Sequence, residues 1–127
     1  MTDAQKQALI DRYIAAYNAF DIDGMLAVLA PDVRFENHAG DQMTVAVDGI
    51  ADFRAVAEMG KKLFSSREQR ISRLSFGEDS ALADIDFRGQ LAADIPDGPA
   101  AGTVIALQGQ SEFSFADGLI SRIVDRS

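Results

Sequence analysis

A chain of 127 residues, 47% of them hydrophobic, fits a single domain with one real core. Its net charge of −8, with 12 Lys and Arg scattered along it, argues against nucleic acid and anionic membranes, which select clustered cations. There is no cysteine and no apolar run of membrane-spanning length, and charges fill the first turns. Disulfides, thiolate chemistry, a spanning helix and a signal peptide are therefore not expected, and a cytoplasmic location is the default.

Thr2 and Gln5 form a capping box, followed at helical spacing by Leu9, Ile10, Tyr13, Ile14, Tyr17 and Phe20. This predicts a long helix with one aromatic-rich face. Asp21 caps a shorter helix with Met25, Leu26 and Leu29, which Pro31-Asp32 ends. Alternation then sets Val33, Phe35 and Asn37 on one face of a strand, and Arg34, Glu36 and His38 on the other. Residues 39–42 read as a turn and 43–47 as the return strand. Asp48 is expected to cap a third helix that buries Ile50, Phe53, Val56, Ala57, Leu63 and Phe64. Strands near 68–76, 80–93, 102–116 and 119–126 follow, with tight turns at Gly77-Glu78-Asp79 and Asp117-Gly118.

Helices gathered early and antiparallel strands gathered late predict an α+β domain, with three helices over one face of a strongly bent sheet. Ala83, Ile85, Phe87 and Leu91 share the inner side of one strand; Ile105, Leu107, Ser111, Phe113 and Phe115 share that of the next. Asp84, Asp86 and Arg88 fall outside. A one-residue slip would bury the charged set, so the register is well specified.

The stretch "RYIAAYNAFDIDGMLAVLAPDVRFEN" resembles the opening of nuclear-transport-factor-2-like proteins, the superfamily of ketosteroid isomerases and SnoaL-like polyketide cyclases. "RGQLAADIPDGPAAGTVIALQGQSEFSFADG" and the closing "ADGLISRIVDRS" are similar to the SnoaL-like strand–loop–strand and final hairpin. The resemblance covers nearly the whole chain. It implies a cone-shaped α+β barrel, a pocket between helices and concave sheet, and homodimers through the outer sheet face. Fold alone does not settle function in such a superfamily.

Ketosteroid isomerases use a first-helix Tyr as oxyanion donor, and Tyr13 occupies the matching place. Their general base is an Asp at the end of the first strand; here Asn37 stands there. Their second donor, an Asp kept protonated, corresponds to Ser111. An amide cannot take a proton near neutral pH, so Asn37 can only orient a ligand.

His38, the only histidine, has a suitable ordinary pKa for acid–base work, but its alternation partners are solvated residues. A bulge at the turn would re-aim it inward. One histidine without cysteine excludes a His-rich metal site, and no Mg²⁺ or Ca²⁺ loop is recognisable. Nothing calls for a cofactor. Arg122 faces inward if Ile120 and Val124 define the buried side, outward if Leu119 and Ile123 do. Tyr17, Phe53, Phe87, Ser111, Phe113 and Arg122 are the candidate ligand contacts, and Met59 is expected in the core.

Three functions fit. The first is acid–base catalysis of the isomerase, cyclase or dehydratase type on a small apolar molecule. There Tyr13 would donate to an oxyanion, Asn37 would orient the substrate, and His38 or an unidentified carboxylate would move the proton. The second is a binding module without turnover. The third is a dimeric association domain with a filled interior. A cavity between Tyr13, Phe53, Phe87 and Ser111 would favour the first two.

Overall fold

Thr2 begins the first helix as its pattern predicts. The Thr2 hydroxyl accepts from the Gln5 N–H at 3.1 Å, and Gln5 Oε1 accepts from the Thr2 N–H at 2.8 Å. A computed structural model describes residues 1–127. Helix α1 spans Asp3–Asn18, α2 Ile22–Leu26 and α3 Ile50–Leu63. The strands are β1 Leu29–Ala39, β2 Gln42–Asp48, β3 Phe64–Phe76, β4 Ser80–Leu91, β5 Val104–Ala116 and β6 Leu119–Arg126. No helix is long and apolar enough to cross a membrane.

The six strands form one curved sheet in the order β2-β1-β6-β5-β4-β3. All neighbours are antiparallel except β1 and β6, which run parallel. The architecture is the expected α+β fold with the helices on the concave face. The sheet curls without closing, so β2 and β3 remain edges.

Aromatic rings meet edge-on where α1, α3 and the sheet converge. Tyr13 lies 6.5 Å from Phe53 and 6.1 Å from Phe113, and Phe35 lies 5.5 Å from Phe53. Such contacts match the negative ring face to the positive edge of its neighbour. Phe113, Ile120, Ile123 and Val33 are sealed from water around them.

Four local expectations are corrected. Asp48 does not cap α3: Gly49 is the N-cap at φ 86°, and the Asp48 carboxylate accepts from Arg34 Nη1 at 2.9 Å. A left-handed residue is cheap only as glycine, so Gly49 makes the turn into α3 and Asp48 ends β2. Leu29 belongs to β1, because its pairing with Ile120 of β6 outweighs its local helical spacing. Met59 is 73% exposed, since the buried stripe of α3 runs through Phe53 and Ala57. Strand β3 begins at Phe64, directly after α3.

Lys6 is only 2% exposed. Its ammonium donates to the carbonyls of Gly77 at 2.7 Å and Glu78 at 2.6 Å, with Asp3 at 3.6 Å. One side chain thus fastens the start of α1 to the β3–β4 turn. Lys6→Met would keep the aliphatic stem but strand two carbonyls, and is expected to cost about 2 kcal/mol. The urea midpoint reads this; an unchanged midpoint would mean water takes over both acceptors. At the other end of α1, Asn18 clips the β3 edge. Its amide donates to Gln69 O at 3.0 Å, and its carbonyl accepts from Gln69 N at 2.8 Å.

Candidate functional site

The last strand carries two incompatible apolar alternations, and a bulge reconciles them. Phe115 pairs with Ile120 but Ser114 pairs with Arg122, so Ser121 is the extra residue. Ile120 and Ile123 therefore both face the core, and Asp125 follows Ile123 inward. Asn37 on β1 pairs with Asp125 on one side, and Ser111 on β5 pairs with it on the other. One row of the concave face thus reads Asn37, Asp125, Ser111.

A cavity of about 180 Å³ lies over this row, lined chiefly by Tyr17, Asn37, Gln69, Phe87, Ser111 and Asp125. Leu107, 48% exposed, also lines it and has one side in solvent. Gly109 lies in the wall; a Cβ there would collide with the Arg126 carbonyl.

Asp125 is the one acidic side chain among the lining residues. Burial pushes its carboxyl up to about 6, against which the Ser111 hydroxyl, donating to Oδ1 at 2.6 Å, pulls down. Desolvation disfavours the charged form, while a hydrogen bond to that form favours it. Burial also raises the Tyr13 hydroxyl well above the tyrosine range, with the Asp125 charge adding to it, so Tyr13 stays protonated. Burial raises Tyr17 too, but the Arg67 guanidinium opposes the shift.

The other predicted residues divide between cavity, core and outer face. Asn37 faces the cavity, but its Nδ2 donates to Thr44 Oγ1 at 2.8 Å across a second bulge. Tyr17, Phe87 and Ser111 also line the cavity. Tyr13, Phe53 and Phe113 lie in the aromatic core, 5%, 3% and 0% exposed, and are not among its lining residues. The hollow thus lies toward Tyr17 and Asn37, because those three rings fill the space expected for it.

His38 is on the outer face, its Nε2 2.9 Å from Glu36 Oε1. The bulge between Asn37 and His38 leaves it beside Glu36 and does not turn it inward. Arg122 is on the same face, its Nη2 donating to Glu36 Oε2 at 3.1 Å. Arg34 joins that cluster, and hydrogen bonds from His38 and Arg34 hold Glu36 down at about 2. Asp84 also points outward, accepting from Gln110 Nε2 at 3.0 Å. Sequence reasoning missed Asp125, Gln69 and Arg67. The bulge hid Asp125; a strictly alternating strand with Ile123 inward would have exposed it.

A model of the SnoaL-like domain matches residues 10–123. The chain belongs to the SnoaL-like family. Solved structures share this SnoaL-like fold along nearly its full length. A proposed polyketide cyclase from Xanthomonas campestris pv. campestris superposes at TM-score 0.84 with 23% identity, covering 98% of this chain and 90% of that one. A second proposed polyketide cyclase, from Pseudomonas putida KT2440, is 26% identical at TM-score 0.75, covering 92% and 86%. An LEH-like epoxide hydrolase from M. tuberculosis is 17% identical at TM-score 0.76, covering 97% and 82%.

Proposed function

We propose that this SnoaL-like chain is an acid–base catalyst acting on a small, largely apolar carbonyl compound, with Asp125 as the proton carrier. The observation that carries this reading is a carboxyl on a cavity wall, poised at about 6 and held by Ser111. A group with that midpoint is both available as a base and able to return the proton near neutral pH. Asn37 and Tyr17 would orient the substrate. Tyr13 would support Tyr17 and Asp125 from the core, and His38, on the far face, would take no part. The solved relatives named as cyclases and a hydrolase favour chemistry on small organic molecules. A cavity of about 180 Å³ suits one ring or a compact pair rather than a large polycycle.

The resemblance to ketosteroid isomerases favours the rival reading of binding without turnover, because it sets the Asn37 amide where those enzymes hold their base. Deuterium exchange separates the two. Cavity-sized cyclic ketones are incubated in D₂O with the protein, and loss of the α-proton signal is followed by NMR. Catalysed exchange whose rate rises with pH around a midpoint of about 6 is expected. Ligands that raise the thermal midpoint yet never exchange would establish a binding module.

Ser111→Ala extends the test. Without its hydroxyl the carboxylate loses the hydrogen bond that holds it down, so the midpoint of the rate profile should move upward from about 6. An unmoved midpoint would show that another group sets the profile. For assembly, the outer sheet face is the proposed contact for a second copy, checked by sedimentation velocity.

A further inference from the structure

Arg67 is a cation in the interior that the acid–base reading does not use. It projects from the inner face of β3, two residues before the cavity residue Gln69, and is 7% exposed. Its Nε donates to the Tyr17 carbonyl at 3.1 Å. The guanidinium carbon stands over two rings, 3.7 Å from the Tyr17 centroid and 4.5 Å from that of Phe20. On the α3 side, Nη1 lies next to Gly60, where a Cβ would stand in ordinary contact at 3.5 Å. Nη2 is buried without any hydrogen-bond partner, and no carboxylate lies within ion-pair distance of the side chain.

A buried charge normally comes with a counter-ion, because desolvating it alone is costly. Here the only acidic side chain of the adjoining cavity is Asp125, whose hydrogen-bond partner is Ser111. The positive end of the interior is therefore uncompensated. It lies against the Tyr17 ring, and Tyr17 lines the cavity beside Gln69. A cation behind a phenol makes its O–H a stronger donor toward whatever faces it, and low polarity amplifies the effect.

We propose that Arg67 is the electrostatic positioning residue of the cavity, acting through the Tyr17 hydroxyl to select a ligand whose buried oxygen carries negative charge, such as an enolate, phenolate or carboxylate. The inference rests on reading the cavity as a small-molecule site. It adds what that reading lacks: the missing counter-charge is supplied by the ligand. Arg67 remains behind Tyr17 and does not touch the ligand. Arg126 also lines the cavity, but its guanidinium is engaged by Glu112 at 3.3 Å.

The test uses two probes of one shape, a dinitrophenolate and the dinitrotoluene of the same substitution pattern. Each is titrated calorimetrically into the full chain at about pH 5, where Asp125, with its midpoint of about 6, keeps its proton. The phenolate is expected to bind about tenfold more tightly than its neutral counterpart. Arg67→Met and Tyr17→Phe should each abolish that preference, read within each variant as the ratio of its affinities for the two probes. Arg67→Lys should restore most of it, and Arg126→Gln should leave it intact. Circular dichroism monitors folding, and Tyr17→Phe retains the buried arginine should Arg67→Met fail to fold. Equal binding of both probes by the unmodified chain, or a preference surviving in Tyr17→Phe, overturns the role of Arg67 and leaves the cavity reading in place. Binding of neither probe overturns both.

Discussion

Asp125→Asn is expected to abolish proton exchange on a bound ketone, lowering its rate by about a thousandfold, while making the protein more stable at neutral pH. The loss follows from chemistry: an amide occupies the same space, still faces Ser111, and cannot carry a proton. The gain follows from linkage. A carboxyl raised from 3.8 to about 6 binds its proton more tightly in the folded state than in the unfolded one. Stability is then fully present below the unfolded pKa and is lost as pH rises through about 6. The penalty above that window is at most about 3 kcal/mol, because solvent from the cavity screens part of it. Thermal unfolding of both proteins at about pH 4 and about pH 7.5 reads the difference. The variant should gain only at the higher pH. A variant that keeps its exchange rate would remove Asp125 from the chemistry whatever its stability.

Phe113→Ala is expected to cost about 4 kcal/mol and to lower the thermal midpoint by roughly 15 °C. Phe113 is fully buried, and Tyr13 packs edge-on against it at 6.1 Å. Removing the ring leaves a void between α1 and the sheet that neither the capped helix nor β5 can close. Phe113→Leu, which refills most of the volume, should cost much less. Equal losses from both substitutions in a denaturant titration would mean that ring geometry, rather than volume, holds this part of the core.

Regular periodicity made much of this molecule legible before any coordinates. The α1 stripe, the inward set Ala83, Ile85 and Phe87, and the outward set Asp84 and Asp86 follow from spacing alone. What escaped lies where local pattern and tertiary pairing disagree. Leu29 has helical spacing but pairs with β6. The burial of Lys6 and Arg67 has no local signal, because their partners, the Gly77 and Glu78 carbonyls and the Tyr17 and Phe20 rings, are distant in sequence. The candidate site was half legible. Asn37, Tyr17, Phe87 and Ser111 were named, but the extra residue in β6 concealed the one carboxylate beside them. A bulge has no compositional signature, so a strand that contains one offers two readings and no local reason to choose.

The order of strands has a consequence for how the chain comes off the ribosome. β6 is translated after the other five yet occupies the middle of the sheet, between β1 and β5. Without β6, the pair β2-β1 and the ribbon β5-β4-β3 share no strand pairing, and their inner borders are unpaired. The arrival of β6 joins them and sets Asp125 between Asn37 and Ser111 in the same event. The Asn37, Asp125, Ser111 row and the continuous six-stranded sheet therefore form in a single step.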